Sequence, residues 1–208
     1  MKIGIVGAGM IGATMAKLWA DAGHEVRIAS RHPEELQPLV ERLGPRASTG
    51  TAASAAGFGD VVMLTVPLKA MPSLAIDLAP ALAGKVVIDT GNAYDQRDGE
   101  IAAQARSTKG GSAVWAARMF PSSRWVKAFN TVYFKVLESE AHRQGDLVGI
   151  PLAGDDRDAV EQVAALAKDA GFDPVHIGGL ARGQAFEPDT PVYNTGMTGR
   201  QVRAAFGL

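Results

Sequence analysis

Residues 2–12 read KIGIVGAGMIG. The run Lys2 to Val6 is short and β-branched, and helically spaced apolar residues follow the glycines at Met10, Ile11, Met15, Leu18 and Trp19. A strand, a tight turn Gly7-Ala8-Gly9-Met10-Ile11-Gly12 and a helix are therefore expected in that order. Each glycine of such a turn has its own task. Gly7 permits the sharp reversal, Gly9 lets the backbone approach a pyrophosphate, and Gly12 lets the helix pack closely on the strand. The free N–H groups of the first helical turn, with the positive end of the helix, then hold phosphate oxygens. A glycine-rich turn can also bind nothing. The strand before this one and the helix after it make it a dinucleotide site.

The end of the second strand distinguishes the two nicotinamide dinucleotides. Residues 25–29 (EVRIA) form that strand, and Ala29-Ser30-Arg31-His32-Pro33 follows it. A site for NAD places an acid there to accept from the ribose 2′-hydroxyl. Here no acid stands at the strand end. Arg31 can pair with a 2′-phosphate through two parallel hydrogen bonds, and Ser30 can donate one. The reading is NADP(H), against the plainer alternative that Arg31 is a solvated loop residue.

The rhythm of strand and helix continues along the chain. Helices are expected over 10–22, from about Pro33 to Leu43, over 51–56, and over 69–82 with a break at Pro72 or Pro80. Strands are expected near 46–48 and over 60–66 and 85–89. Beyond residue 90 the pattern loosens. It suggests helices near 98–106 and 112–118, a strand over 125–129 and a helical stretch within 131–142. A strand over 149–154, a helix over 155–170 and a strand over 174–177 follow. The tail 180–208 is loop-rich, with a short helix after Thr198. Alternating elements at this spacing argue for a Rossmann-type α/β fold, a doubly wound, mostly parallel sheet. We expect a single domain with a C-terminal extension and no all-helical second domain. A nucleotide-binding core would span about 1–130 and an acceptor-side extension about 131–208.

In that architecture ligands bind at the carboxyl ends of the strands. Thr65-Val66-Pro67-Leu68 and Asp89-Thr90-Gly91-Asn92 occupy two such ends. Val66, Pro67 and Leu68 are placed to pack on adenine or ribose, and Gly91 and Asn92 to approach the nicotinamide half. Simple loop roles are the alternative for each.

Bulk composition narrows the partners. The 208 residues are 47% apolar and 21% charged with net charge -1, so there is no basic field for nucleic acid or an acidic membrane. Aromatics are 6% of the chain and do not interleave with basic residues, which also argues against nucleic acid. Without cysteine there is no disulfide, thiolate metal site or thiol nucleophile. The four histidines, His24, His32, His142 and His176, are scattered without metal-ligand spacing, so no metal is expected. The opening residues do not form a secretory signal, and no apolar run is long enough to span a membrane. A cytoplasmic protein is expected.

The segments IGIVGAGMIGATMAKLWADAGHEV, ASRHP, LTVP, VKAFNT and LAGDD resemble the NADPH-dependent deazaflavin (coenzyme F-420) reductase family, together with the nucleotide-binding domain of six-transmembrane ferric reductases. They spread over most of residues 1–177. The stretch Val126-Lys127-Ala128-Phe129-Asn130-Thr131 is the more specific part, because it resembles the family's segment beside the nicotinamide. The resemblance implies a nicotinamide near Ala128, Phe129 and Asn130, with the hydride acceptor above it, and a homodimer.

Three activities follow as expectations. The first is hydride transfer between NADPH and a deazaflavin or flavin-like acceptor, in which the cofactors carry the chemistry and no side-chain acid is obligatory. The second is reduction of a small carbonyl or imine, for which Lys127, Tyr133 or Tyr94 would donate a proton. Lys127 has the competing reading of a structural or surface lysine. The third is NADP(H) sensing without catalysis. Asp155-Asp156 is read as helix capping, and the segment from Phe186 to Asn194 as a possible cover over the acceptor.

Overall fold

The computed structural model describes residues 1–208. Strand β1 (Lys2–Val6) is buried from Ile3 onward and lies at the centre of the nucleotide half of the sheet. Helix α1 (Met10–Asp21) returns antiparallel to it, and β2 (Glu25–Ala29) pairs parallel with β1. A 3-10 turn at Pro33–Leu36 leads into α2 (Gln37–Leu43), and β3 (Ala47–Gly50) closes the edge. The expected single helix from Pro33 is thus split, because Pro38 occupies the first turn of a new α segment.

The chain then crosses to the other side of β1. Helix α3 (Ala52–Phe58) precedes β4 (Val61–Leu64), which pairs parallel with β1. Helix α4 (Met71–Leu82) precedes β5 (Val86–Asp89). Pro80 lies inside α4 without breaking it. The carbonyl it deprives of a partner belongs to Ile76, which is 82% exposed, so water replaces the lost bond. Short helices α5 (Asp95–Asp98), α6 (Glu100–Ser107) and α7 (Gly111–Ala117) lead to β6 (Arg124–Lys127). That strand stops before the expected residue 129, because Phe129 takes a left-handed conformation (φ 60°) that ends extended pairing.

Helix α8 (Phe134–Glu140) is shorter than the expected stretch, and β7 (Gly149–Gly154) follows it. Helix α9 (Arg157–Asp169) and strand β8 (Asp173–Gly178) complete the sheet. A long 3-10 segment, Leu180–Phe186, occupies part of the tail expected to be loop, and α10 (Gly199–Phe206) ends the chain. The eight strands run in the order β3-β2-β1-β4-β5-β6-β7-β8. All pairs are parallel except β6 with β7. No helix is long and apolar enough to cross a membrane.

Apolar side chains fill both faces. Trp19, Met15, Phe129 and Phe172 pack with α1, α8 and α9 on one, and Leu78, Leu82, Phe120 and Trp125 with α3, α4, α6 and α7 on the other. The indole of Trp19 meets Phe129 edge-to-face and donates to the Leu166 carbonyl at 2.9 Å. This ties the first helix to α9 and to the loop after β6. Because the chain reverses direction across the sheet between β1 and β4, a crevice opens at their carboxyl ends.

Candidate active site

The phosphate turn separates its glycines by function. A β-carbon on Gly7 (φ +115°) would lie 2.2 Å from the Thr65 carbonyl oxygen, and one on Gly12 would lie 2.0 Å from that of Gly7. Both positions are required by the protein's own backbone. Gly9 is different: a β-carbon there would meet nothing within 4 Å. Gly9 also caps α1 without a side-chain hydrogen bond, and the first turn carries no acid. The first helical turn, from Met10 to Gly12, thus has no capping side chain, and the space beside Gly9 is open, a cradle suited to an anion.

At the end of β2 the Ser30 hydroxyl oxygen accepts from the His32 N–H at 3.0 Å, leaving its own hydrogen free to donate. Arg31 is exposed and pairs with no carboxylate. The nearest acid contact in this loop is made by His32, whose Nδ1 lies 3.4 Å from Glu34.

A cleft of about 280 Å³ opens at the carboxyl ends of β1, β4, β5 and β6. Met10, Ile11, Thr65, Val66 and Pro67 form its phosphate-side wall, and Asn92 and Asn130 lie across from them. Leu68 and Ala128 do not reach it. Both are fully buried, Leu68 beneath Gly91 and Ala128 in the core beside α1. Leu68, expected to pack on adenine or ribose, and Ala128, expected near the nicotinamide, thus turn their side chains into the core.

The two asparagines hold one another. Asn92 Nδ2 donates to the Asn130 carbonyl at 2.9 Å, and Asn130 Nδ2 donates to Asn92 Oδ1 at 3.1 Å and to the Phe186 carbonyl at 3.0 Å. Backbone carbonyls can only accept, so the orientation of both amides is determined. The consequence is that Asn130 Oδ1, buried at the cleft, has no donor. The neighbouring Thr131 Oγ1 is also without a partner. Unpaired buried acceptors are costly, and a ligand N–H is the natural remedy.

Lys127 is neither at the surface nor in the cleft. Its side chain is fully buried, and its ammonium donates to the Gly91 carbonyl at 2.6 Å, to Ser112 Oγ at 3.1 Å and to Asp89 at 3.4 Å. Glu187, from the tail, lies 3.5 Å away and accepts from the Ser112 N–H at 2.8 Å and its hydroxyl at 2.5 Å. Burial pushes the Asp89 carboxyl above its usual range, opposed by the adjacent Lys127. With its hydrogens so committed, Lys127 is corrected from a candidate proton donor to an internal tie between β5, β6, α7 and the tail.

Tyr94 and Tyr133 do line the cleft, and so do Tyr193 and Asn194 of the tail. The two tail residues fall in the segment 186–194 read from sequence as a cover over the acceptor, without a motif that fixes their place. Only the bond from the Asn194 N–H to the Thr131 carbonyl at 2.7 Å, and the pairing of the Tyr94 and Tyr193 hydroxyls, show where they sit. Asp155 and Asp156 bind the backbone N–H groups of Leu180 and Ala159, Asp156 as the cap of α9.

The family model "NADP oxidoreductase coenzyme F420-dependent" matches residues 2–93. The F420-dependent NADP reductase of Methanothermobacter marburgensis is 31% identical, over 92% of this chain and 90% of its own length. The chain belongs to the coenzyme F420-dependent NADP oxidoreductase family. Its relatives within and around that family differ in extent. The metalloreductase STEAP3 of Rattus norvegicus is 27% identical over 89% of this chain, which spans only 36% of that protein. A crystal structure of a hypothetical protein, SMa0349, from Sinorhizobium meliloti superposes with a TM-score of 0.81 and 29% identity, covering 95% of both chains. As a family member, the chain has the mostly parallel Rossmann-type sheet on which the cleft is built.

Proposed function

We propose that this protein transfers a hydride between NADPH and a deazaflavin or flavin-like acceptor held in the cleft. The observation that carries the reading is the pairing of two incomplete sites along one crevice. One is the open phosphate cradle at Gly9, and the other is the unpartnered Asn130 Oδ1. A dinucleotide has an anionic pyrophosphate for the first and a carboxamide N–H for the second.

Gly7, Gly9, Met10, Ile11 and Gly12 would hold the pyrophosphate, Ser30 and Arg31 the 2′-phosphate, and Thr65, Val66 and Pro67 the ribose side. Asn92 and Asn130 would orient the carboxamide. When bound, the nicotinamide supplies the hydride at its C4 carbon. The protein's part is to bind, align and exclude water, because no ionised acid or base lines the cleft except Arg97, whose guanidinium is spent on Asp98 and the Asn92 carbonyl. Residues 1–130 serve the nucleotide in this reading, and 131–208 supply the acceptor wall.

The second reading, reduction of a small carbonyl or imine, is supported by the phenols of Tyr94 and Tyr133 in the same cleft. NADPH oxidation in parallel with a deazaflavin, FMN, ferric chelate, a small imine and no acceptor separates the two. Turnover with the deazaflavin supports the first reading. Turnover confined to the imine, abolished by Tyr133→Phe, would replace it with the second.

We further infer a cytoplasmic homodimer. Met10 is 66% exposed and Tyr133 47% exposed at the cleft, an apolar rim that a second subunit would cover. Light scattering that finds only monomer at micromolar concentration would remove this part of the proposal.

A further inference from the structure

We propose that Tyr193 is a specificity-determining residue for the hydride acceptor, donating a hydrogen bond from the C-terminal tail to a carbonyl oxygen on a planar conjugated ring. The inference rests on the reading that the acceptor shares the cleft with the nicotinamide.

A single ladder of hydrogen bonds crosses the cleft and begins and ends in the tail. The Phe186 carbonyl accepts from Asn130, Asn130 is paired with Asn92, and Asn92 Nδ2 donates to the Tyr94 hydroxyl oxygen at 3.3 Å. The Tyr94 hydroxyl is bonded in turn to that of Tyr193. The direction of the last two steps follows from counting hydrogens. The two phenols carry two hydroxyl hydrogens, and one lies between them. Tyr94 already accepts from Asn92, so it is polarised as a donor, and a chain running Asn92 to Tyr94 to Tyr193 strengthens each successive bond. Tyr193 is its terminal donor, with one hydrogen left over.

That hydrogen has a place to go. Tyr193 is half-buried and lines the cleft together with Tyr94, and no carboxylate among the lining residues competes for it. Burial pushes the Tyr193 phenol above its usual range, so it stays protonated at neutral pH and acts as a donor. The Arg97 guanidinium stacks 4.8 Å from the Tyr94 ring centre and keeps that ring in place. Val132, Tyr133 and Phe134, lining the same cleft on the acceptor side, offer apolar surface for a flat ring. Donor on one side and apolar face on the other suit the carbonyl-bearing ring edge of a flavin or deazaflavin.

The test is steady-state kinetics of wild type, Tyr193→Phe and Tyr94→Phe with a deazaflavin and with FMN, alongside NADPH titration and thermal melting. Tyr193→Phe keeps the ring and its packing. It should raise the acceptor KM about tenfold, the worth of one neutral hydrogen bond, with NADPH Kd and Tm held. Tyr94→Phe should raise it less, because the terminal donor survives. An unchanged acceptor KM in Tyr193→Phe, with the wild type active, overturns the inference and leaves the proposed function standing. A joint rise in acceptor KM and NADPH Kd with a lower Tm assigns Tyr193 a structural role and also overturns it. A wild type that binds NADPH but reduces neither ring system brings down both.

Discussion

At the scale of single residues, the glycines of one motif answer to different physical demands. Gly7 and Gly12 are dictated by contacts within the fold, whereas the space beside Gly9 is empty. Gly9→Ala should therefore leave thermal stability nearly unchanged and weaken NADPH binding at least about tenfold, because the added methyl occupies the phosphate cradle. Calorimetric titration beside a melting curve checks both halves. Arg31→Ala tests the choice of dinucleotide. A charge-assisted hydrogen bond is worth about 1.5–3 kcal/mol, so NADPH affinity should fall roughly tenfold to a hundredfold. NADH affinity should stay put; equal losses for both would mean that Arg31 does not read the 2′-phosphate.

At the scale of elements, the buried Lys127 joins parts of the chain that no local pattern connects. Strand β6 supplies the ammonium, β5 supplies Asp89, α7 supplies Ser112, and the tail supplies Glu187. Removing the cation leaves the buried Asp89 and Glu187 carboxyl groups without their shared partner. Lys127→Met should cost about 3–5 kcal/mol, the usual penalty for breaking a buried ionic pair on one side. Urea unfolding measures it. Lys127→Met combined with Asp89→Asn and Glu187→Gln should recover much of the loss, since no unpaired charge then remains. Failure to recover would mean that the ammonium's bond to the Gly91 carbonyl carries the stability instead. Most element types were legible from periodicity, including the strand at 149–154 and the helix that Asp156 caps. The ends were less so. Phe129 halts β6 by a backbone conformation that its side chain does not announce, and the helical turns at Leu180–Phe186 lie in a stretch rich in glycine and alanine without amphipathic spacing.

At the scale of the whole molecule, two carboxylates act oppositely on the dependence of stability on pH. Burial of Asp98 opposes its ionisation, but hydrogen bonds from the Arg97 guanidinium and from the N–H groups of Lys69 and Tyr94 outweigh it and hold the carboxyl below its ordinary value of 3.8. A depressed pKa gives stability that is complete above the unfolded value and is lost as pH falls through the folded one. The Tm difference between wild type and Asp98→Asn should thus be largest near neutrality and shrink as pH falls below about 4. A difference independent of pH would assign Asp98 to packing alone. Asp89, raised by burial, favours the fold in its neutral form, and that contribution is lost as pH rises through its folded value.

The sequence by itself determined the strand–turn–helix at residues 2–21, the parallel winding, and the positive character at the end of β2. Each of these is local: a glycine at a forced φ, a hydrophobic period or a missing acid is written in consecutive residues. Tertiary structure alone decided that Lys127 is an internal tie, that Leu68 and Ala128 are core, and that Tyr193 shares a cleft with Asn92 and Asn130. Burial and hydrogen-bond partnership depend on which distant segments arrive at the same place. Tyr94 and Tyr193 meet across 99 positions of chain, and only the packing of the tail over the strand ends brings their hydroxyls together.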